Sequence, residues 1–472
     1  MNINTSNKIN YFNSIAKDRI KYRKKHSYYW NYITDYCNYY IHNENSVLEI
    51  GCGTGELLAQ IKGARKLGVD FSERMVENAK TQFPDLDIRC LDAHQLELNE
   101  KFDVIILSNL IGWIDDIQIA LQQVRKHCHA RTRIIITYYN FLWEPIIKFS
   151  EWIGIKKKTP DQNWLSKKDI DNLLYHDNFE VYRHQRNMLV PFYIPILSWF
   201  LNKYIAHLPF FNLLSLNQHI FARPLNCGSR KEYTTSVVIP ARNESGNIEN
   251  AILRLPEFGA GVEIIFVEGN STDDTWEKIK EMKDKYQGKR KIEIARQEGK
   301  GKADAVRKGY SIATGDILMI LDADLTVPPE DIPKFYEAIV SGKGEFINGS
   351  RLVYPLEKNA MRFLNMLGNK FFSHAFTWLL EQPIKDTLCG TKVIFRDDYN
   401  RLVSNRIFFG DFDPFGDFDL IFGAYKLNLK IIDLPIRYQE RTYGDTNISR
   451  FRHGFILLRM WFYAAGKIKF WK

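Results

Sequence analysis

Between Val47 and Gly55 the chain reads Val-Leu-Glu-Ile-Gly-Cys-Gly-Thr-Gly, an apolar run that passes through one acidic residue into three glycines spaced two apart. Where a strand turns sharply into a helix beside a ligand, a Cβ would block either positive φ or the ligand itself. The stretch therefore predicts an α/β sheet with a nucleotide-cofactor loop at one edge. Far downstream, Leu321-Asp-Ala-Asp-Leu325 is a strand exit of a different kind, with paired aspartates in place of glycines. The length, 472 residues, exceeds what one hydrophobic core usually serves. Two nucleotide sites on two domains are expected.

The order of short apolar runs supports this division. Residues 11–45, with Tyr28, Tyr29, Tyr32, Tyr36 and Tyr39 at helical spacing, predict helices that cap the first domain. Strands are expected over 47–50, 66–70, 86–90, 102–107 and 133–137, with helices near 72–83 and 115–128, which is the rhythm of a parallel α/β sheet. The stretch Phe221-Ala-Arg-Pro-Leu-Asn-Cys-Gly-Ser-Arg230 interrupts that rhythm and marks the boundary between domains over 1–225 and 232–472. A second series follows, with strands over 236–240, 263–267, 292–295, 317–321 and 345–348.

Composition narrows the partners. A net charge of +9 suits anionic ligands or an anionic membrane face, or simply solubility. No basic stripe with interleaved aromatics is present, so nucleic acid is not expected. Cys37, Cys52, Cys90, Cys128, Cys227 and Cys389 form no C-x-x-C pair or zinc spacing and read as reduced thiols. The polar N-terminus lacks an apolar signal region, which predicts a cytoplasmic setting. No apolar run is long enough to span a bilayer. Leu189 to Leu201 and Phe455 to Lys472 are nevertheless strongly apolar, the second interleaved with Arg and Lys. Each reads either as a core-packing helix or as a peripheral contact with the inner face of an anionic membrane.

In an open parallel sheet, ligands bind beyond the carboxyl ends of the strands. Gly51, Gly53 and Gly55, then Asp70, Asp92 with Ala93, and Ser108 with Asn109 all stand just after apolar runs. Asp70 is placed for the hydroxyls of a ribose, and Asp92 with Ala93 for an exocyclic adenine amine. A nicotinamide-binding unit is the main rival. It is disfavoured by the G-x-G-x-G spacing, by Glu49 two residues before the first glycine, and by the second acidic position at Asp92. These residues resemble class I S-adenosylmethionine-dependent methyltransferases across about 45–140. The resemblance implies a Rossmann-like domain in which Glu49 and the glycine loop face the methionine part of S-adenosylmethionine, Asp70 its ribose and Asp92 its adenine. Methyl transfer often relies on orientation and exclusion of water, so no dedicated base is required. His94, His127, His129 and Tyr138 are acceptor-side candidates by residue type alone, and each also reads as an ordinary surface or core residue.

In the second series, Ser236-Val-Val-Ile-Pro-Ala-Arg-Asn-Glu244 runs from strand to polar turn, Glu268 closes another strand, and Asp322 and Asp324 leave a fully apolar one. Two convergent carboxylates suit a hard divalent cation, which takes oxygen ligands and bridges to phosphates. A diphosphate leaving group needs such neutralisation. A D-x-D pair alone is equally common in solvated turns. With Gly299-Lys-Gly-Lys-Ala-Asp-Ala305 added, the set resembles family 2 glycosyltransferases of the GT-A fold over about 233–455, closest to the branch of dolichol-phosphate mannosyltransferases and polyprenyl-phosphate glycosyltransferases. The resemblance implies that Pro240, Ala241, Asn243, Glu244, Glu268, Lys302, Asp322 and Ala323 hold a nucleotide-sugar donor. It also implies that Asp322 and Asp324 hold Mg²⁺ or Mn²⁺ and that Arg351 meets phosphate.

Departures from that branch leave parts of the site open. Glu268-Gly-Asn-Ser stands where Asp-Asp-Gly-Ser is common, and Thr326 where Gln is frequent, so the nucleotide base and any third metal ligand are unassigned. The branch's Arg-x-x-Gly-x-Ser-Lys, which seats an acceptor phosphate, corresponds to Arg441-Thr-Tyr-Gly-Asp-Thr-Asn447. Arg441 remains. The missing lysine charge is supplied by Arg450 and Arg452, or those two form a solvated helix face. Asp417 is the first candidate for an acceptor-activating base and Asp386 the second. The whole reads as a bifunctional enzyme that transfers a methyl group from S-adenosylmethionine and a sugar to a glycan or lipid-linked acceptor. The alternative is a single active glycosyltransferase with the first domain as a binding or docking module.

Overall fold

In a computed structural model of the chain, residues 3–154, 159–160, 162–225, 231–351, 353, 363–406, 416–439, 441, 443 and 450–470 are described. The chain folds into two compact units, residues 1–229 and 230–471.

The first unit begins with two helices, α1 (Ile3–Lys25) and α2 (Ser27–Tyr40), followed by β1 (Ser46–Ile50), β2 (Arg65–Asp70), β3 (Asp87–Cys90), β4 (Phe102–Ser108), β5 (Cys128–Tyr139), β6 (Phe179–Asn187) and β7 (Asn217–Pro224). These form one sheet of order β3-β2-β1-β4-β5-β7-β6. β1 and β4 lie at its centre because their runs are apolar on both faces, so each side can be covered by helices. The intervening helices start where the sequence supplies caps. Ser72 Oγ accepts from the Met75 amide at 3.3 Å, and Asp116 Oδ1 accepts from the Ile119 amide at 3.0 Å. The tyrosines of α2 pack inward as their spacing predicts, Tyr36 stacking on His219 of β7 with ring centroids 3.8 Å apart.

The expectation of an all-parallel sheet needs correction at one edge. β7 is antiparallel to both β5 and β6. Phe221 to Pro224, expected to begin the domain boundary, is the buried end of β7, with Arg223 paired to Glu180 of β6 at 2.8 Å. The proline is tolerated because it is the last residue of its strand. The rest of that stretch, including Cys227, lies outside the described residues.

The second unit holds β8 (Thr235–Ala241), β9 (Val262–Glu268), β10 (Lys291–Arg296), β11 (Ile317–Ile320), β12 (Phe346–Ser350), β13 (Lys392–Phe395) and β14 (Ile431–Pro435). Their order is β10-β9-β8-β11-β13-β12-β14, parallel except for β13, which is antiparallel to both neighbours. The core lies on the apolar faces of β8, β9 and β11, including Val237, Ile264, Phe266 and Met319. The helix Arg450–Ile468 buries Leu457, Met460, Ala464 and Ala465 and donates from Trp461 Nε1 to the Ala375 carbonyl at 3.0 Å, while Phe455 and Phe462 stay exposed. Core packing therefore accounts for one face of that C-terminal segment. None of the described helices is long and apolar enough to cross a membrane.

The start of β11 depends on a close approach. A Cβ at Gly315 would lie 2.5 Å from the Ser236 amide nitrogen and 2.7 Å from the Thr235 carbonyl carbon, both backbone atoms that cannot rotate away. Gly315→Ala should destabilise the second unit by about 1–3 kcal/mol, the cost of overpacking. Urea denaturation checks this by a shift in that unit's transition, and an unchanged midpoint would refute it.

Candidate functional site

In the first unit, β1 and β2 end side by side, and their exits carry the glycine loop and Asp70. Gly51, Gly53 and Gly55 all have positive φ. A Cβ at Gly53 would meet nothing within 4 Å, so this bend opens a cradle beside the backbone. Asp70 fixes the loop, accepting from the Gly53 amide at 2.8 Å and the Ser72 amide at 2.9 Å. Each of its oxygens keeps acceptor capacity for a ligand hydroxyl. Asp92 accepts at one oxygen from the His94 amide, 2.9 Å, and from the His94 ring, 2.7 Å, with Ala93 in the turn that follows.

Glu49 is buried behind the loop, and its Oε2 has no hydrogen-bond partner. Burial pushes its carboxyl up to about 8, although Arg23 draws it down. Asn109 has φ +50, donates to the Tyr29 hydroxyl at 3.0 Å, and leaves its own Oδ1 buried without a partner. A buried acid with a bare oxygen and a second bare acceptor suit a cationic, hydrogen-bonding ligand such as the methionine part of S-adenosylmethionine.

Side chains of α1 cross this edge, which the sequence reading expected only as a cap. Lys8 reaches Asp115 at 2.5 Å, and Phe12 sits between Phe71 and Trp113 with centroids at 5.6 and 5.4 Å. Asn13 accepts from Ser72 at 2.6 Å, and Arg23 pairs with Glu56 at 3.2 Å. These partners all follow β1, β2 or β4, so α1 covers the exits of those strands. The acceptor-side candidates are engaged in the scaffold. His127 is buried between the Glu100 and Leu96 carbonyls, His129 meets Asp103, and Tyr138 donates to the Asn163 carbonyl. The His94 ring accepts from the Asp116 amide at 3.2 Å, so both its nitrogens are used.

In the second unit, β8 and β9 deliver the first half of the site. Pro240 and Ala241 end β8, and Asn243, at φ +56, accepts from the Thr272 amide at 2.8 Å. Glu268 is buried at the end of β9 and accepts from the Ser271 amide at 2.5 Å. Glu244 accepts from Asn247 at 2.8 Å and from Arg441 at 3.1 Å. Arg441 also donates to Asp324 at 2.7 Å, and so bridges the β8 turn and the paired aspartates.

The other aspartate, Asp322, meets Lys302 at 2.5 Å. Burial would raise its carboxyl, but Lys302, Lys392 and Arg351 hold it below the ordinary value. Gly390 makes this approach possible, since a Cβ there would collide with both the Asp322 carboxylate and the Lys302 ammonium. Asp417 opens the helix Asp417–Lys426; it is buried, lies 3.5 Å from the fully buried Lys392, and leaves one oxygen without a hydrogen bond. Lys392 and Gly390 carry no motif signal, and only the fold brings them here.

Asp386 is fully buried, with its two oxygens gripping Arg351 at 2.7 and 2.8 Å and the Arg351 amide at 3.1 Å. Burial favours its neutral form, but Arg351 outweighs that and holds the carboxyl below its usual range. Both oxygens of Asp386, the second candidate base, are thus engaged by Arg351. Arg450 belongs to the last helix, but its side chain lies outside what is described, as do Arg452 and the segment from Gly444 to Asn447. Among the described residues no three histidines, cysteines or carboxylates converge on a metal position. Asp322 and Asp324 alone would supply hard oxygen ligands and leave the remaining positions to phosphate and water, which suits Mg²⁺.

Residues 48–134 match a methyltransferase domain family, and residues 236–408 match Glycosyl transferase family 2. A dolichol-phosphate mannosyltransferase of Pyrococcus furiosus is 43% identical over 218 residues, 45% of this chain and 59% of that protein. A malonyl-[acyl-carrier protein] O-methyltransferase of Bacillus cytotoxicus is 34% identical over 87 residues, 17% of this chain and 30% of that one. The chain thus spans less than two thirds of either relative. The crystal structure of glucosyl-3-phosphoglycerate synthase from Mycobacterium tuberculosis overlays 50% of this chain and 80% of its own with 17% identity and a TM-score of 0.36. With its strand exits and matched segments taken together, the chain joins a methyltransferase domain to a family 2 glycosyltransferase domain of the GT-A type.

Proposed function

We propose that the chain is a bifunctional transferase working at the cytoplasmic face of a membrane. The first unit would move a methyl group from S-adenosylmethionine, and the second a sugar from a nucleotide-sugar donor to a polyprenyl-phosphate or lipid-linked glycan. The observation that carries the second activity is the pair Asp322 and Asp324 at one strand exit, each facing a cation, Lys302 or Arg441. When bound, a divalent ion neutralises charge on the donor diphosphate. Asp322 and Asp324 would hold it, Lys302 and Arg351 would meet phosphate oxygens, and Asn243, Glu244 and Glu268 would orient the nucleoside.

The same geometry favours a phosphate acceptor over a sugar hydroxyl. Asp386 is committed to Arg351, and Asp417, which keeps one oxygen without a hydrogen bond, faces the buried ammonium of Lys392, so a fixed cation already stands beside each carboxylate. A phosphate monoester is already ionised near neutrality, with its second pKa at about 6, and needs no base. Arg441 stays the candidate for seating that phosphate.

Removing the charge of Asp322 by Asp322→Asn should lower sugar transfer on the order of 10²–10³-fold, as for loss of other preorganised electrostatic groups. Chelator should abolish release of nucleoside diphosphate and Mn²⁺ or Mg²⁺ restore it, with methyl transfer unaffected. Full turnover in excess chelator would show the metal-centred reading to be wrong.

For the first unit, Asp70→Ala should weaken S-adenosylmethionine binding by about 1.5–3 kcal/mol, the range for a hydrogen bond to a charged group. Calorimetry on the full chain measures this, and unchanged affinity would remove Asp70 from the site.

Glu49 gives a pH signature. Its folded-state value, pushed up to about 8 by burial, lies above that of the unfolded chain. Its contribution to stability is therefore complete below the unfolded value and lost as pH rises through about 8. A cationic amino group bound beside it favours the ionised form, so binding near pH 7 should release a proton, approaching roughly one per cofactor. Calorimetry in buffers of different ionisation enthalpy should show that release, and Glu49→Gln should abolish it.

A further inference from the structure

The helix Leu197–Lys203 is built inside out. It buries Ser198, 0% exposed, and Asn202, 4% exposed, while Leu197, Trp199 and Phe200 are 47%, 49% and 46% exposed. An ordinary surface helix does the reverse. The buried polar groups are fully employed. Asn202 accepts from the Leu189 and Val190 amides at 2.8 and 3.0 Å and donates to the Val190 carbonyl at 2.8 Å and to Tyr28 at 3.0 Å, and Ser198 donates to the Ile194 carbonyl at 2.8 Å. The residue before the helix, Ile196, is held at φ +64 with its side chain 80% exposed. A β-branched residue pays strain in that region, and here it gains no burial in return.

Two neighbouring segments continue this surface. The Asn140 side-chain Nδ2 donates to the Leu213 and Ser215 carbonyls at 2.8 and 3.0 Å, and Trp143 Nε1 donates to the Leu214 carbonyl at 2.9 Å. Those bonds tie residues 140–143, and the helix Glu144–Trp152 after them, to residues 213–215. Phe149, Trp152 and Phe210 stand exposed there. From Met188 to Leu216 the sequence has no carboxylate, and Lys203 is its one Lys or Arg; Lys156, Lys157 and Lys158 follow the helix Glu144–Trp152.

We propose that this face of the first unit docks on an anionic lipid surface and from there brings a lipid-linked methyl acceptor to the cofactor edge; the second clause rests on the methyl-transfer reading above. Charge argues for lipid, because the exposed aromatics of residues 188–216 are accompanied by Lys203 and no carboxylate, and on the helix Glu144–Trp152 the Glu144 charge is balanced by Lys148 at 2.5 Å, a composition that suits a headgroup layer. A protein partner would call for about one hydrogen bond per 100–200 Å², and these outward side chains offer few polar atoms. Position argues for the acceptor. Both segments leave the carboxyl edge of the sheet, where Tyr139 and Asn187 each pair with Asn217. The Tyr29 hydroxyl donates to Asn217 at 3.2 Å and accepts from Asn109 at 3.0 Å, so one side chain separates the base of this face from a candidate cofactor residue.

The test is flotation of the full chain with vesicles of equimolar phosphatidylglycerol and phosphatidylcholine, against phosphatidylcholine alone. Wild type should float with the anionic vesicles, less so at high salt. The exposed-site variants Trp199→Glu, Phe200→Glu and Phe210→Glu combined should cut the bound fraction on the order of tenfold or more. Unchanged circular dichroism and unchanged S-adenosylmethionine binding would show that the variant is folded. Transfer of label from S-adenosylmethionine into solvent-extractable lipid of a membrane fraction should fall in parallel. Wild type remaining at the bottom of the gradient, or the variant floating as well as wild type, would overturn the docking face. So would a dimer in size-exclusion chromatography that the variant loses, which would assign the face to a second copy. Flotation lost in the variant, with label in wild type going only to water-soluble material, would overturn the lipid-linked acceptor. Failure of wild type to bind S-adenosylmethionine would instead sink the methyl-transfer reading and leave the flotation result standing.

Discussion

Parallel strands deliver their last residues to one edge of a sheet, and whatever polar group arrives there half-buried must find a partner, because leaving one bare costs about 1–3 kcal/mol. Both units are organised by that requirement. In the first, the Asp70 carboxylate meets it by gathering the amides of Gly53 and Ser72, which sets the shape of the glycine loop. In the second, Asp322 and Asp324 meet it through Lys302 and Arg441. The same bonds that close the edge sterically also concentrate charge where a nucleotide would lie.

The two edges differ in electrostatic design. The first holds an acid without a full set of partners, Glu49, behind a loop of bare backbone, an arrangement that favours a cationic ligand. In the second, fixed cations surround the carboxylates: Lys392 is fully buried beside Asp417, and Arg351 is clamped by Asp386. Buried charges of this kind are costly to strand, and breaking one partner of a buried pair is far more damaging than exchanging both. The second edge thus holds each of these cations in a fixed place against a carboxylate.

Much of this was legible in the sequence because strand exits carry local signals. Gly51, Gly53, Gly55, Asp70, Pro240, Glu268 and Asp322 all stand at the ends of apolar runs, and the structure puts them at strand ends. What could not be read was contact between remote stretches. Arg441 and Glu244 are far apart in the chain, as are Lys302 and Asp322 from Gly390, and no local pattern announces that Asp386 will spend its charge on Arg351. For the helix Leu197–Lys203, whose apolar stretch the sequence left open between core packing and an outward face, the choice could not be read for another reason. Periodicity assigns the apolar face to the interior, and here the polar face is inside. The antiparallel strands β6 and β7 were hidden by the long insertion between them.

The placement of β7 has a practical consequence for where this chain can be divided. β5, which the matched methyltransferase segment enters but does not complete, has β4 on one side and β7 on the other, and β7 is supplied by residues 217–224. A fragment cut after the matched segment would lack both β7 and β6 and would keep β5 only to Ile134, leaving Ile106 and Leu107 of β4 without their partners Ile135 and Ile136, an apolar unpaired edge and a template for association with other chains. The smallest self-sufficient piece of the first unit is set by strand pairing, and it runs well beyond the stretch that carries the recognisable chemistry.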